Sequence, residues 1–338
     1  MKAARLHEHG KPLRIDDVPV PEVKGGEVLV KIAGAGVCHS DLHHAAGAIR
    51  SLKLPLTMGH ENAGYVEEIG EDVPDFKKGE AVAVFGGWGC GDCHFCRRGE
   101  DQLCNVTLWG GVGVDGGFAQ FLRVPSYRYL IRLDGLDPVE SAPLTDAGLT
   151  PYHAIKKTLP YLYPGSAAVI IGAGGLGHLG LQIMKVISPG ARVIVVDIDR
   201  DKLRLASRLG ADHVIDGRTD VIREIKRLTL EEGAQAIIDM VGVEGTLRTA
   251  TLAAGRKGII VLVGLAGGAV PYSYFGVPRE SIITTSSWGT YAELGELLEL
   301  ARARKIKANV QRFPLEDINE AFRLLEEGKI QGRAVITP

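Results

Sequence analysis

A short stretch of the sequence, Cys38–His43, holds a thiol, a hydroxyl, a carboxylate and two imidazoles, and the pair His60–Glu61 follows it. Thiolate, imidazole and carboxylate are ligands of zinc, and a catalytic zinc site takes three from the protein while a fourth position stays open. We therefore predict a catalytic zinc site with Cys38 and His60 as its first two ligands. The alternative is a small apolar core cysteine and a hydrogen-bonded core histidine.

The sequence has five cysteines, and four of them lie within fifteen residues: Cys90, Cys93, Cys96 and Cys104. In a reducing compartment such spacing is more typical of a metal site than of disulfides. Four thiolates in tetrahedral order leave no open position, so we predict a structural zinc site. An iron–sulfur cluster would also take four cysteines, but the sequence has no second array of this kind.

A glycine-rich turn follows an apolar run and precedes a helical pattern. Its residues are Gly172, Ala173, Gly174, Gly175, Leu176 and Gly177. In a G-x-G-x-x-G turn the first two glycines permit the tight bend and the close approach of a pyrophosphate, and the third lets the helix pack on the strand. Free amides of the helix N-terminus then face the phosphates. The turn predicts a dinucleotide-binding site.

Asp197 ends the next apolar run, where a carboxylate can accept hydrogen bonds from both ribose hydroxyls. Because this acid would repel a 2′-phosphate, we predict NAD rather than NADP as the cofactor. Arg200 follows shortly after and keeps the phosphorylated cofactor as an alternative.

The chain before about residue 145 predicts short strands joined by irregular turns, a mostly β module. Candidate strands are Lys2–Leu6, Glu27–Ile32, Ala63–Val66 and Ala81–Phe85. Gly34 and Gly36 are expected to break the second of these strands just before Cys38.

From Ala167 onward, β-branched runs alternate with helical patterns, which is typical of a parallel sheet with helices on both faces. The candidate strands are Ala167–Ile171, Arg192–Val196, His213–Ile215, Gln235–Asp239, Gly258–Val263 and Ile282–Thr285. They predict an α/β fold with a doubly wound, Rossmann-type parallel sheet.

The chain has 338 residues and a formal charge of −2, so it is long enough for two domains and carries no excess of basic residues. We therefore predict no nucleic-acid partner and no membrane partner. The first residues have no apolar core of signal-peptide length, and no apolar run is long enough to span a membrane. We expect a cytoplasmic protein that binds a small molecule.

In their order along the chain, the Cys38–His43 stretch, Gly59–Glu61, the four cysteines and the glycine-rich turn resemble the zinc-dependent medium-chain alcohol dehydrogenases. The resemblance covers essentially the whole chain. It implies a GroES-like catalytic domain formed by residues 1–145 and 287–338, with a structural zinc lobe at 86–108, and a Rossmann NAD-binding domain at 146–286. It also implies NAD, one catalytic and one structural zinc ion in each subunit, and a homotetramer or homodimer.

The family usually supplies its third catalytic ligand as a cysteine, in a segment similar to Ala142–Thr150. This sequence has Asp146 there and no sixth cysteine, so the resemblance implies Cys38, His60 and Asp146 as ligands. Bacterial secondary-alcohol dehydrogenases with an aspartate ligand are similar in this segment, which indicates secondary alcohols and ketones as substrates. The alternative is that Asp146 caps a helix and Glu61 binds the metal; Glu61 is also a candidate transient ligand.

The resemblance further implies that Ser40 takes the alcohol proton and passes it toward His43, and that Asp41 fixes the tautomer of His60. The alternative for His43 is a solvated loop residue. His44 is expected at the surface.

Several residues are expected around the cofactor and the substrate by the same resemblance, each with ordinary packing as its alternative. His39 and Arg333 would contact the pyrophosphate, Lys202 the adenosine ribose and Thr150 the nicotinamide side, while Val241, Gly264 and Leu265 would line the groove. Phe85, Trp288 and Ile49 are candidates for the substrate pocket. Rival functions are a polyol or amino-alcohol (threonine-type) dehydrogenase and a catalytically silent nucleotide sensor.

Overall fold

The computed structural model of the protein describes residues 1–48 and 53–338. The chain folds into two compact units, the first formed by Met1–Leu149 with Gly289–Pro338 and the second by Thr150–Trp288. Among the residues described, no helix is long and apolar enough to cross a membrane.

The first part of the chain forms short strands and two short helices. The elements are β1 (Lys2–Leu6), β2 (Arg14–Asp17), β3 (Val28–Val37), α1 (His39–Ala45), β4 (Leu56–Thr57), β5 (Glu61–Ile69), β6 (Ala81–Val84), β7 (Gly87–Trp88), β8 (Leu108–Trp109), β9 (Phe121–Val124), β10 (Leu130–Arg132) and α2 (Pro138–Ser141).

The middle of the chain alternates helices and strands. Its elements are α3 (Leu149–Thr158), β11 (Ala167–Ile171), α4 (Gly177–Ile187), β12 (Arg192–Asp197), α5 (Arg200–Arg208), β13 (His213–Asp216), α6 (Val221–Leu228), β14 (Ala234–Asp239), α7 (Glu244–Ala253), β15 (Ala254–Leu262) and β16 (Ile282–Thr285). The last segment adds α8 (Tyr291–Arg302), β17 (Val310–Pro314), α9 (Ile318–Glu326) and β18 (Arg333–Thr337).

Strand β3 is the central strand of the first unit. It pairs with β5, β9 and β18 in a seven-stranded sheet, in which six strands follow the order β10-β6-β5-β3-β18-β17 and β9 pairs with β3 outside this order. Most of its residues are buried, and Lys31 alone within it is exposed. Because β18 comes from the end of the chain, this pairing joins the two parts of the first unit.

The expectation that Gly34 and Gly36 break strand β3 is wrong, since the strand continues through both glycines to Val37. A register shift falls between Ile32 and Gly34, and Gly36 then pairs with Glu61 on β5. A Cβ at Gly36 would lie 1.9 Å from Oε2 of Glu61. The glycine is therefore a point of close approach between paired strands rather than a strand end.

The second unit contains the predicted Rossmann-type sheet, so the α/β fold class is confirmed. Its six strands are all parallel and follow the order β13-β12-β11-β14-β15-β16. Val169, Ile237 and Ile260 of three neighbouring strands are at most 1% exposed. Strands covered by helices on both faces bury nearly all of their side chains, which explains the continuous β-branched runs in the sequence.

Candidate active site

Four potential metal ligands from separate elements meet in the first unit. Cys38 lies between β3 and α1, His60 directly precedes β5, Glu61 begins β5, and Asp146 follows the 3-10 turn Ala142–Thr145. One ligand atom from each lies within 4.8 Å of the others, and all four residues are buried. The structure therefore brings together the thiolate, imidazole and carboxylates that the sequence hypothesis requires.

The imidazole of His60 lies between two carboxylates. Its Nδ1 is 3.1 Å from Oδ1 of Asp41, and its Nε2 is 3.5 Å from Oδ2 of Asp146. Burial lowers the pKa of His60, but the two carboxylates outweigh this effect and raise the pKa well above its usual value. In the neutral imidazole, a hydrogen bond from Nδ1 to Asp41 would place the lone pair on Nε2, the nitrogen beside Asp146, where a metal could bind.

Asp41 also holds the thiol ligand in place, because its Oδ2 accepts a 2.8 Å hydrogen bond from the backbone N–H of Cys38. The Asp41 side chain is 1% exposed. One buried carboxylate thus contacts both Cys38 and His60, and the role expected for it beside a metal stays a prediction.

Glu61 is paired with Arg333 rather than directed at the other ligands. Nε of Arg333 donates a 2.9 Å hydrogen bond to Oε2 of Glu61, and Nη2 of Arg333 donates to Oε1. Burial raises the pKa of Glu61 to about 7, against the lowering effect of the Arg333 guanidinium. Arg333 thus restrains both carboxylate oxygens of Glu61, and the choice between Asp146 and Glu61 as the third ligand stays a prediction.

Arg333, which is expected to contact a pyrophosphate, lies beside two acids. The residue is 2% exposed, and its Nη2 is also 3.6 Å from Oδ2 of Asp146. The reason is electrostatic: a buried guanidinium needs a carboxylate partner, and Glu61 supplies one on the adjacent part of the sheet. Arg333 is therefore a buried partner of the two acids, and its expected contact with a pyrophosphate stays a prediction.

The donor chemistry fits a catalytic zinc ion. Cys38, His60 and Asp146 offer sulfur, nitrogen and oxygen ligands, which is the set that zinc accepts when a fourth position stays open. Helix α1 places Ser40 beside this set, with its Oγ 3.6 Å from Sγ of Cys38. His43 lies three residues further along the same helix, on the same face and partly buried.

His44 is not at the surface, so that expectation is wrong. It is 0% exposed, because α1 directs it inward, and its carbonyl oxygen lies 3.1 Å from Nδ1 of His9. Burial lowers the pKa of His44 below its usual value. Helix α1 is too short to show a hydrophobic periodicity, so the sequence could not predict that His44 is buried.

The four cysteines of the second predicted site also come together. Cys90 and Cys96 have sulfurs 4.0 Å apart, and those of Cys93 and Cys96 are 3.5 Å apart. Sulfurs around a tetrahedral zinc ion, each about 2.3 Å from it, would be separated by roughly 3.8 Å. Backbone hydrogen bonding, first at Cys90, lowers the pKa of Cys104 to about 6, whereas burial raises the pKa of Cys96 to about 12.

Sequence reasoning missed a group that ties this cysteine cluster to the sheet. Nη2 of Arg128 is 3.0 Å from Oδ1 of Asp101 and 2.7 Å from the hydroxyl of Tyr129, which donates to the carbonyl of Gly89 at 2.8 Å. Asp101 begins the 3-10 turn Asp101–Leu103 between Cys96 and Cys104, and it is 8% exposed. The position of Asp101 between two metal ligands could have drawn attention to it. Its partner Arg128 could not be predicted, because it lies 27 residues away along the chain.

The glycine-rich turn in the second unit is closely packed at one glycine and open at another. A Cβ at Gly177 would lie 1.9 Å from the carbonyl oxygen of Gly172, so α4 packs closely on the turn. A Cβ at Gly174 would meet no atom within 4 Å, which leaves space for a ligand to approach the backbone. Gly175 and Leu176 complete the turn before α4 begins.

Asp197 helps to hold this turn in place. Its Oδ2 accepts a 2.6 Å hydrogen bond from the backbone N–H of Ala173, and its Oδ1 accepts one of 2.8 Å from that of Asp199. Each carboxylate oxygen keeps a further lone pair for a ribose hydroxyl.

Asp239, which the sequence analysis did not single out, joins two loops expected at the cofactor groove. Its Oδ1 accepts hydrogen bonds from the backbone N–H groups of Val241 and Gly242 at 2.9 and 3.0 Å. Its backbone carbonyl accepts from Val263 and Gly264. The residue is fully buried at the end of β14. It therefore fixes the relative position of Val241 and Gly264.

The remaining candidate residues occupy varied environments. Thr150 and Phe85 are buried, Lys202 and Trp288 are partly buried, His39 is exposed, and Leu265 is 64% exposed. Phe85 packs edge-on against Tyr291, with ring centroids 6.1 Å apart. Ile49 lies outside the described residues. The roles expected for these residues stay predictions.

The chain matches known proteins over its full length. Residues 24–135 match the alcohol dehydrogenase GroES-like domain, and residues 175–303 match the zinc-binding dehydrogenase family. An NAD-dependent alcohol dehydrogenase of Sulfurisphaera tokodaii is 41% identical, with 100% of both chains covered. D-arabinose 1-dehydrogenase (NADP(+)) of Saccharolobus solfataricus is 38% identical, with 100% of this chain and 97% of that protein covered. The crystal structure of the alcohol dehydrogenase from the archaeon Aeropyrum pernix has a TM-score of 0.94 and 43% identity, covering 100% of both chains.

Proposed function

This chain belongs to the zinc-dependent medium-chain alcohol dehydrogenase family, and we propose that its preferred substrates are secondary alcohols and the corresponding ketones. It is an oxidoreductase that acts on the CH–OH group with zinc and NAD. The observation that carries this proposal is the convergence of Cys38, His60 and Asp146 in one buried site.

The ligand set supports secondary alcohols in two ways. A carboxylate oxygen donates less charge to zinc than a thiolate does. Zinc held by one thiolate and one carboxylate is therefore a stronger Lewis acid than zinc held by two thiolates. This favours ionisation of the less acidic secondary hydroxyl. The loop after α1 also carries the small Ala48, where a bulky aromatic side chain would restrict a second carbon substituent.

The side chains around the ligands have separate tasks. Cys38, His60 and Asp146 would hold a zinc ion that would lower the pKa of the alcohol hydroxyl, and the glycine-rich turn would hold the NAD that would take up the hydride. The hydroxyl of Ser40, beside Cys38, accepts the alcohol proton and passes it toward the imidazole of His43. Asp41 keeps His60 in the tautomer that presents Nε2, and Arg333 holds Glu61 away from the metal position.

We propose that NAD binds on the glycine-rich turn with Asp197 at the adenosine ribose. A carboxylate at that position accepts from both ribose hydroxyls and repels a 2′-phosphate. The relative that acts on D-arabinose uses NADP, so both cofactors belong in any assay. The same relative makes a sugar or polyol the second candidate for the substrate.

We further propose that the protein is cytoplasmic and forms a homotetramer or a homodimer. All five cysteines are free of disulfides, and four cluster as metal ligands, which suits a reducing compartment. The tetramer follows from the family resemblance, and sedimentation velocity with the purified protein tests it.

Steady-state assays of NAD and NADP reduction across primary alcohols, secondary alcohols, polyols and threonine test the substrate proposal. We expect the highest kcat/KM for secondary alcohols with NAD, and loss of activity after treatment with a zinc chelator. A higher kcat/KM for a polyol or for threonine would assign the substrate to the rival class. Full activity after complete removal of both metals would refute the zinc mechanism.

A further inference from the structure

An acidic residue and two arginines lie next to Asp197 and have no role in the mechanism above. Asp216 ends β13 and is the register partner of Asp197, which ends the neighbouring parallel strand β12. The backbone N–H of Gly217 donates a 2.9 Å hydrogen bond to the carbonyl of Asp197. The turn that follows Asp216 is therefore attached to the residue expected at the adenosine ribose.

The carboxylate of Asp216 engages two guanidinium groups. Nε and Nη2 of Arg218 donate to its two oxygens at 2.8 and 2.6 Å, a bidentate pair. Nε of Arg200, the first residue of α5, lies 3.8 Å from Oδ2 of Asp216. The backbone N–H of Arg218 adds a 3.1 Å hydrogen bond to Oδ1. One carboxylate thus holds Arg218 by hydrogen bonds and attracts Arg200 as a looser ion pair.

These cations have the chemistry that recognises a 2′-phosphate. A guanidinium binds phosphate oxygens through two parallel N–H groups, and an arginine beside the ribose is how dinucleotide folds accept the phosphorylated cofactor. The side chains of Arg200 and Arg218 are 77% and 56% exposed, so both can turn toward a ligand once released. Asp216 is 24% exposed and contributes its own negative charge to the same edge of the sheet.

We propose that Asp216 determines cofactor specificity: it binds the guanidinium groups of Arg200 and Arg218 and so keeps both from serving as ligands for an adenosine 2′-phosphate. Asp197 is then not the sole source of the NAD preference. This inference rests on the proposed NAD-dependent function and assigns the discrimination to a second acid on the neighbouring strand.

Substitution Asp216→Asn tests the inference, since the amide keeps the shape of the side chain and an oxygen for the Arg218 backbone N–H. It removes one negative charge and releases two positive ones, so the NADP/NAD ratio of kcat/KM should rise about tenfold. Asp212→Asn is the matched control. Asp212 lies just before β13, at its opposite end, and pairs with Lys185 at 2.9 Å; its substitution should leave the ratio unchanged.

The triple variant Asp216→Asn with Arg200→Gln and Arg218→Gln identifies the source of the gain. If the released guanidinium groups bind the phosphate, the triple variant loses most of the increase and keeps only the smaller part that comes from the missing Asp216 charge. An unchanged ratio in Asp216→Asn overturns the inference, and so does an increase that persists in full in the triple variant.

Binding of ADP-ribose and of its 2′-phosphate, measured by calorimetry, tests the inference without turnover. Asp216→Asn should bind the phosphorylated ligand about tenfold more tightly relative to the unphosphorylated one. A wild-type enzyme that oxidises no alcohol would contradict the proposed function alone, because the relative binding of the two ligands would still test Asp216.

Discussion

The carboxylate of Glu61 occupies the space that a side chain at position 36 would need, since a Cβ on Gly36 would lie 1.9 Å from Oε2 and 2.8 Å from Cδ of Glu61. Glu61 cannot move aside easily, because it is fully buried and Arg333 holds both of its oxygens. Strand β3, which leads to Cys38, can therefore lie this close to Glu61 only because position 36 has no side chain.

Gly36→Ala should destabilise the protein by about 2–3 kcal/mol, because the added methyl group forces β3 and β5 apart or breaks the buried ion pair. Urea unfolding measures the change. Gly245→Ala is the control, since a Cβ there meets no atom within 4 Å and Gly245 lies in helix α7. That control should be neutral or stabilising by roughly 0.5–1 kcal/mol. Equal losses in both variants would contradict the close-approach argument.

Asp146→Asn and Glu61→Gln distinguish the two candidates for the third zinc ligand. If Asp146 is the ligand, its amide variant should fall from about two zinc ions per chain to about one, because the four-cysteine site is untouched. Glu61→Gln should keep both ions, since Arg333 already engages that side chain. Plasma mass spectrometry of dialysed protein measures the zinc content. The reverse pattern would make Glu61 the ligand.

Arg128→Met should loosen the structural zinc, because Arg128 links Asp101 and Tyr129 beside the four cysteines. Loss of a partner around metal ligands typically weakens metal affinity about tenfold or more, so zinc should pass faster to a chromogenic chelator. Arg97→Met is the control, because Arg97 pairs with Asp92 on the same lobe but its side chain is 69% exposed. Equal release from both variants would show that Arg128 does not secure the site.

The sequence predicted those features of the structure that depend on a local pattern of residues. Runs of β-branched residues gave the strand Ala167–Ile171 with its observed bounds, and cysteine spacing identified the four-sulfur cluster. It could not predict the partner of Arg333, because that contact joins strands distant along the chain and depends on how β18 pairs with β3. The same limit explains His44 and Arg128, whose environments are set by tertiary packing rather than by periodicity.

His44 should make the protein less stable in mild acid. Burial holds its folded-state pKa below the value of about 6.5 expected when unfolded. Below that pH the unfolded chain binds a proton that the folded protein does not, so stability falls as pH decreases from about 7 toward the folded pKa.

His44→Gln removes this titration while it keeps a side-chain donor, so the variant should lose less stability between about pH 7 and pH 5 than the wild type. The slope contributed by one histidine is at most about 1.4 kcal/mol per pH unit. Urea unfolding at several pH values measures it, and His213→Gln, at an exposed position, controls for the substitution itself. If His44→Gln and the wild type show the same pH dependence, the imidazole of His44 is protonated equally in the folded and the unfolded protein. Its burial then does not lower the free energy of unfolding in acid.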